Sequence, residues 1–364
     1  MAAPSPRIHD IWPSVAAALG VEGYTDRLGL PEARGYVVFL VDGMGLLNLR
    51  DHEAETPFLS RLDAVEGIRS NLPSTTVTSL TSLGTGLRPG QHGVAGYTVR
   101  VPETGERLNS IAWDRPVDPL RWQANPTVLE RLAQEHGIAA ATVNEARFAG
   151  SALTLCTQRG IPFHGVSSAW ERHDVLLDLA EADGRPAIYA YESNLDHTGH
   201  KLGCGSAEWR EELRRIDGDL ARLRGDLPDD IRLIVTADHG MIDLAPEGRF
   251  DVDEHPHLLD GVELLAGEAR FRHLYARPGA AGEIAQCWRE ELGPERVEVR
   301  LRAECEDWFG PLDTSVASRF GDVVVAALGD FAVFSSREFA REMGMIGFHG
   351  STSDVETRIP VLVA

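Results

Sequence analysis

The chain has a single lysine, Lys201, among its 364 residues. Any cation that it offers to a ligand is therefore an arginine, a histidine or a bound metal. Acidic residues outnumber Lys and Arg by 56 to 35, and the formal charge is −21. A nucleic-acid backbone needs a positive footprint, so no nucleic-acid polymer is expected as a partner. A small anion is a different case, because a metal-lined pocket changes the local sign without changing the global one. Cysteine is also scarce: four residues, scattered and without close pairing, argue against a disulfide framework. No apolar run is long enough to span a bilayer, so no membrane partner is expected. The N-terminal stretch MAAPSPRIHDIWPSVAAALG lacks a basic start followed by a continuous apolar segment. The cytoplasm is the expected location, and nothing in the sequence speaks to an oligomeric state.

What the chain does have is metal-ligand residue types in short, separated clusters, each following an apolar run. Asp42 lies in VVFLVDGMG, Asp196 and His200 in NLDHTGH, Asp238 and His239 in LIVTADHGM, and His349 in GFHGS. Carboxylates and imidazoles are what a zinc-like ion takes as ligands, and two such ions side by side clamp a phosphoryl group. A lone strand-end Asp can as well cap a helix or hold a turn; several clusters of this kind together favour a metal centre. Asp196 and His200 stand at i and i+4, one face of a helical turn. His197, at i+1, points elsewhere.

GYVVFLV and IRLIVTA are β-branched runs of the kind buried in a parallel sheet. GIAAATVNE and PAIYAYE read as further strands. SAEWREELRRIDGDLARLRG reads as an amphipathic helix, with Trp209, Leu213, Ile216, Leu220 and Leu223 at helical spacing and Ser206 as N-cap. Strands alternating with helices imply an α/β fold, a mostly parallel central sheet covered by helices on both faces. In such sheets ligands bind at the carboxyl ends of the strands, where the aspartates sit. From about residue 246 to 334 the character changes to charged segments. FRHLYARPG, RVEVRLRAE and GDVVVAALGD are strand candidates there, and AAGEIAQCWREELG is a helix. Residues 246–334 are read as a small α+β cap inserted into a core of residues 1–245 and 335–364.

The nucleophile is sought in SNLPSTTVTSLTSLGTGLRPGQHGVAGY. A hydroxyl on the first turn of the helix that follows PSTT would sit beside unpaired amides that suit a phosphate. Thr75 and Thr76 are the candidates; Ser74, Thr75 or Thr76 could equally be only an N-cap.

In this order, Asp42, PSTT, a TGL-RPG-QHG run, D-x-x-G-H, A-D-H-G and H-G-S resemble the type I phosphodiesterase/nucleotide pyrophosphatase branch of the alkaline phosphatase superfamily. The resemblance implies an alkaline phosphatase-like core and hydrolysis of phosphodiester or pyrophosphate bonds in small, nucleotide-like substrates. It implies two divalent ions, usually zinc, with manganese also compatible with these donors. One ion falls to Asp196, His200 and His349, the other to Asp42, Asp238 and His239, and Thr76 becomes the nucleophile and a further ligand, with Thr75 in reserve. A phosphothreonine intermediate follows, with the Val77 amide as an oxyanion donor.

The chain departs from the family pattern where many members carry an Asn that touches a phosphoryl oxygen. Tyr97 falls there, with Asn109 as a substitute, which leaves a phosphomonoesterase or another phosphoryl- or phosphonate-transfer enzyme as the alternative. A non-catalytic metal-bound sensor is the third reading. Cys156 in LCTQRG lacks the context of a sulfatase nucleophile and reads as a small buried residue. His255 and His257, near Asp251 and Asp253, suggest a third metal site or a polar loop. Arg272 and His273 would reach substrate from the cap, or form an exposed strand face.

Overall fold

The computed structural model describes residues 5–364; residues 1–4, at the head of the segment inspected for a leader, lie outside the described residues. The central sheet begins with β1 (Gly35–Val41), in which every residue is buried. Successive strand side chains point to opposite faces, so burial of all seven means that both faces of the sheet are covered. Helix α1 (Thr76–Thr85) follows and is buried along its whole length. Its small side chains allow that: a Cβ at Gly84 would lie 2.0 Å from the Thr157 carbonyl oxygen. Then come β2 (Ala139–Glu145), β3 (Phe163–Val166), α2 (Ala169–Glu181), β4 (Pro186–Glu192), α3 (Asn194–Leu202), α4 (Ala207–Asp226) and β5 (Ile231–Thr236).

These five strands are parallel and run in the order β3-β2-β4-β1-β5. On α4 the apolar stripe is buried as its spacing predicts, and the Ser206 hydroxyl accepts the Trp209 amide at 3.1 Å. The fold is α/β, as expected.

Residues 262–327 build a second sheet from β6 (Val262–Glu268), β7 (Phe271–Ala276), β8 (Val297–Leu301) and β9 (Val323–Ala327), with α5 (Ala281–Leu292) between β7 and β8. It is antiparallel throughout, in the order β6-β7-β9-β8. One apolar cluster lies between this sheet and α5, including Leu274, Ile284, Trp288 and Val325. A different cluster joins its other side to the segment around Thr76, where Leu72, Val77 and Val94 meet Phe271, Trp308, Phe309 and Phe320. The chain then returns to the large sheet, where β10 (Val361–Val363) pairs antiparallel with β5 and with the short edge strand Asp63–Ala64. Among the described residues no helix is long and apolar enough to cross a membrane.

Candidate active site

β4, β1 and β5 are neighbours in the sheet, and each delivers an aspartate at its carboxyl end. Asp42 directly follows β1, Asp238 lies two residues beyond β5, and Asp196 lies in the first turn of α3, which starts two residues after β4. Gly43 makes the turn after Asp42 possible. Its φ of +74° is one that other residues rarely adopt, and a Cβ there would sit 3.1 Å from that of Asp196.

Three imidazoles converge on these carboxylates. His239 Nε2 lies 3.3 Å from Asp42 Oδ1, 3.5 Å from Asp238 Oδ2 and 3.2 Å from the Thr76 hydroxyl oxygen. His349 Nε2 lies 3.2 Å from His200 Nε2 and 3.9 Å from Asp196 Oδ1. His200 Nε2 is 3.4 Å from Asp196 Oδ2, the i,i+4 pair expected on α3. All six sequence-predicted ligands and Thr76 are thus brought together. Two sets of donors lie close enough to share an ion: Asp42, Asp238 and His239, and Asp196, His239 and His349. His239 belongs to both, between the two halves, and its ring stacks on that of His349. His200 completes the second half.

The inward imidazole nitrogens meet Thr76, the aspartates and one another, and the outward ones are anchored to the backbone. Each imidazole turns Nδ1 outward to a backbone carbonyl: His200 to Gly347 at 2.8 Å, His239 to Gly240 at 3.2 Å, His349 to Ser74 at 3.0 Å. That is the outer contact which orients a metal-ligating histidine. Each aspartate keeps one buried oxygen with no hydrogen-bond partner: Asp42 Oδ1, Asp196 Oδ1 and Asp238 Oδ2. Buried acceptors without partners are costly, and divalent ions would satisfy all three. The donors present therefore fit a pair of ions.

Electrostatics agree. Burial, with Asp238 and Asp196 close by, raises the Asp42 carboxyl well above its ordinary range. Burial raises Asp238 too. Burial, reinforced by His239 and His200, holds His349 well below the usual histidine value. Acids that resist ionisation and a histidine that resists protonation describe a cluster short of positive charge at its centre.

Thr76 is the first residue of α1, and the extended Thr75 before it makes no side-chain cap, so the first amides of the helix, Val77 included, have no side-chain acceptor at the cap. Thr75 directs its hydroxyl to Glu268 instead. Ser74, on the same turn, donates to the Ser351 carbonyl at 2.6 Å, and its amide donates to Gly350 at 2.9 Å. The loop that leads into Thr76 is in this way strapped to the loop that carries His349. A cavity of about 240 Å³ opens from Thr76, Asp196, His200 and His349 toward Tyr97, Ile111, Met345 and Phe348.

Several residues packed around the site have no motif that announces them. The Tyr191 hydroxyl donates to Asp42 Oδ2. Glu192 is held below its usual range, for although burial works against ionisation, Arg172 and Arg215 outweigh it; it accepts the Asn194 amide and so sets the start of α3. Glu268 lines the cavity 3.7 Å from His349 Nδ1, and burial pushes its carboxyl up to about 8. The only sequence signal for the first two is their place at the end of YAYE, beside a strand ending in Asp.

Some of the other expectations are corrected and some hold. Neither Arg272 nor His273 faces the substrate cavity or solvent. Arg272 is wholly buried against Glu342 and the Val333 carbonyl, and His273 spends both ring nitrogens on the Ala95 carbonyl and the Gly321 amide. Asn109 does not reach the cavity; its Oδ1 accepts the amides of Ile111 and Ala112 in its own turn. His255 and His257 both face Glu291, at 3.4 and 3.3 Å, while Asp251 and Asp253 turn to the 335–337 segment. That arrangement is the polar loop, not a third metal centre. His197 is exposed, Tyr97 lines the cavity, and Cys156 is buried, its thiol pushed up to about 12 by that burial.

The family model for type I phosphodiesterase/nucleotide pyrophosphatase matches residues 36–352. The chain belongs to this family. Among curated members, it is 25% identical over 233 residues to ectonucleotide pyrophosphatase/phosphodiesterase family member 7 of Mus musculus, covering 58% of this chain and 52% of that one. It is 23% identical over 207 residues to an uncharacterised pyrophosphatase/phosphodiesterase of Schizosaccharomyces pombe, covering 54% of this chain and 40% of the other. The chain spans about half the length of the curated relatives it matches. Among solved structures, murine ectonucleotide pyrophosphatase/phosphodiesterase 5 superposes with a TM-score of 0.72 at 16% identity, over 90% of this chain and 87% of that one. An inactive threonine-to-alanine variant of the same protein, in complex with AMP, gives 0.71 at the same identity and coverage.

Proposed function

We propose that the protein hydrolyses phosphodiester or pyrophosphate bonds of small phosphate esters at a two-metal site, through a phosphothreonine on Thr76. The carrying observation is the Thr76 hydroxyl on the first turn of α1, 3.2 Å from His239 Nε2, amid three aspartates that each keep an unpartnered oxygen. Asp42, Asp238 and His239 would hold one ion, and Asp196, His200 and His349 the other. These are nitrogen and oxygen donors suited to zinc, and to manganese as well. Two divalent ions there would lower the proton affinity of the hydroxyl and neutralise charge on the phosphoryl oxygens.

In the first step Thr76 Oγ1 loses its proton and attacks phosphorus, forming an Oγ1–P bond while the bond to the leaving alcohol or phosphate breaks. The Val77 amide donates to a phosphoryl oxygen as charge builds on it. Water then attacks the phosphothreonine, releasing phosphate or a phosphomonoester and restoring the hydroxyl. Residues 246–334 act as the cap, and Tyr97, Ile111 and Met345 receive the organic group. The structural neighbour that is inactive as a threonine-to-alanine variant and binds AMP supports both a threonine nucleophile and a nucleotide-sized substrate.

The test is hydrolysis of bis-p-nitrophenyl phosphate against p-nitrophenyl phosphate by protein reconstituted with zinc or manganese, with Thr76→Ala as control. Preference for the diester, lost in the variant, is the expected result. Preference for the monoester would move the assignment to a phosphomonoesterase, and turnover that survives Thr76→Ala would overturn the threonine step.

A further inference from the structure

The three aspartates of the site are not held alike. Asp238 Oδ1 is fixed by two backbone amides, those of Gly43 and His239, both at 3.1 Å. Asp196 lies against His200, another ligand. Asp42 alone takes a phenol: Tyr191 donates its hydroxyl to Oδ2, while Oδ1 stays without a partner and faces His239. The parallel register of β1 and β4 sets Tyr191 beside Leu40 and lets the Glu192 carbonyl accept the Asp42 amide at 2.9 Å, so the two side chains leave adjacent strands on one face. Tyr191 is buried and does not line the substrate cavity, so its hydroxyl serves Asp42 and not a ligand.

We propose that Tyr191 is a positioning residue that holds Asp42 to one-oxygen coordination, by occupying Oδ2 and leaving Oδ1 for the ion shared with Asp238 and His239. A carboxylate whose second oxygen is engaged by a donor binds through one atom; freed of that donor, it can swing or chelate through both. This inference rests on the two-metal reading above.

The experiment is titration of metal-free wild-type, Tyr191→Phe and Tyr189→Phe proteins with zinc against a chelating indicator, followed by the visible spectrum of each cobalt-loaded form. Tyr189 is the control, because its buried hydroxyl has no hydrogen-bond partner and lies on the same strand two residues away. Tyr191→Phe should weaken one of the two ions by about 10–100-fold, the usual cost of losing an outer contact, and change the cobalt bands as Asp42 becomes bidentate. Tyr189→Phe should change neither. Unaltered affinities and spectrum in Tyr191→Phe would overturn the proposal. So would equal weakening of both ions, which marks a general loosening of the fold. Wild-type protein that binds fewer than two ions would instead defeat the two-metal reading itself.

Discussion

Thr75 and Thr76 are adjacent and chemically identical, yet the structure gives them separate environments. One hydroxyl meets Glu268 and the other meets His239. The distinction predicts unequal kinetics. Thr76→Ala should lower kcat for the diester by at least about a thousandfold, as expected for loss of a nucleophile, while the metal content stays at the wild-type value. Thr75→Ala should stay within about tenfold of wild type, because it removes only a contact to a cavity wall. Steady-state kinetics with metal analysis on both variants tests the assignment. A collapse in Thr75→Ala with activity kept in Thr76→Ala would exchange their roles.

At the scale of elements, the small antiparallel sheet is tied to the catalytic end of the large one by a buried ion pair. Arg270, just before β7, meets Glu356 at 2.6 Å, with both side chains fully enclosed. Glu356 also accepts the Ser351 amide at 2.9 Å, two residues past His349, and its carbonyl accepts the Gly240 amide, next to His239. Replacing one partner of such a pair strands the other charge. Arg270→Met should therefore cost about 3–5 kcal/mol in urea unfolding. It should also loosen zinc binding, because the Ser351 and Gly240 backbones share the same anchor. An unchanged unfolding midpoint would show that Glu356 finds another partner.

Legibility follows the same scale. β1, β5 and α4 are readable because burial on two faces, or along one stripe, writes a period into the sequence. The candidate metal ligands are readable because each sits in a compact motif just past a strand. Tyr191, Glu192 and Glu268 are not readable in this way. Their partners come from distant segments, and only the sheet order makes Tyr191 a neighbour of Asp42, 149 positions away. His273 misleads for a related reason. The alternation in FRHLY suggests one open face, but packing against α1 and the Phe309–Phe320 region covers it.

For the whole molecule, charge decides the response to pH. In the metal-free fold Asp42 and Asp238 have raised pKa values, so their contribution to stability diminishes as the pH rises from about 4 through the folded values. His349 has a depressed value and works in the opposite sense, its contribution being lost as the pH falls below about 6.5. Ions bound at the ionised carboxylates remove the first penalty. The gain in melting temperature on adding zinc should therefore grow from pH 5 to pH 8, measured as the difference between loaded and metal-free protein in the same buffer. A gain independent of pH would mean that these carboxylates are already ionised in the metal-free fold.

The path of the chain through the large sheet has a consequence for biosynthesis. Asp42, Thr76, Asp196, His200, Asp238 and His239 all precede the small antiparallel sheet, while His349 and β10 follow it. A ribosome therefore releases the other candidate ligands more than a hundred residues before the last one. Until His349 emerges, the donor set of Asp196, His239 and His349 lacks a member, and β5 has an open edge where β10 will later pair. The full set of candidate ligands is therefore present only after the small antiparallel sheet has been synthesised.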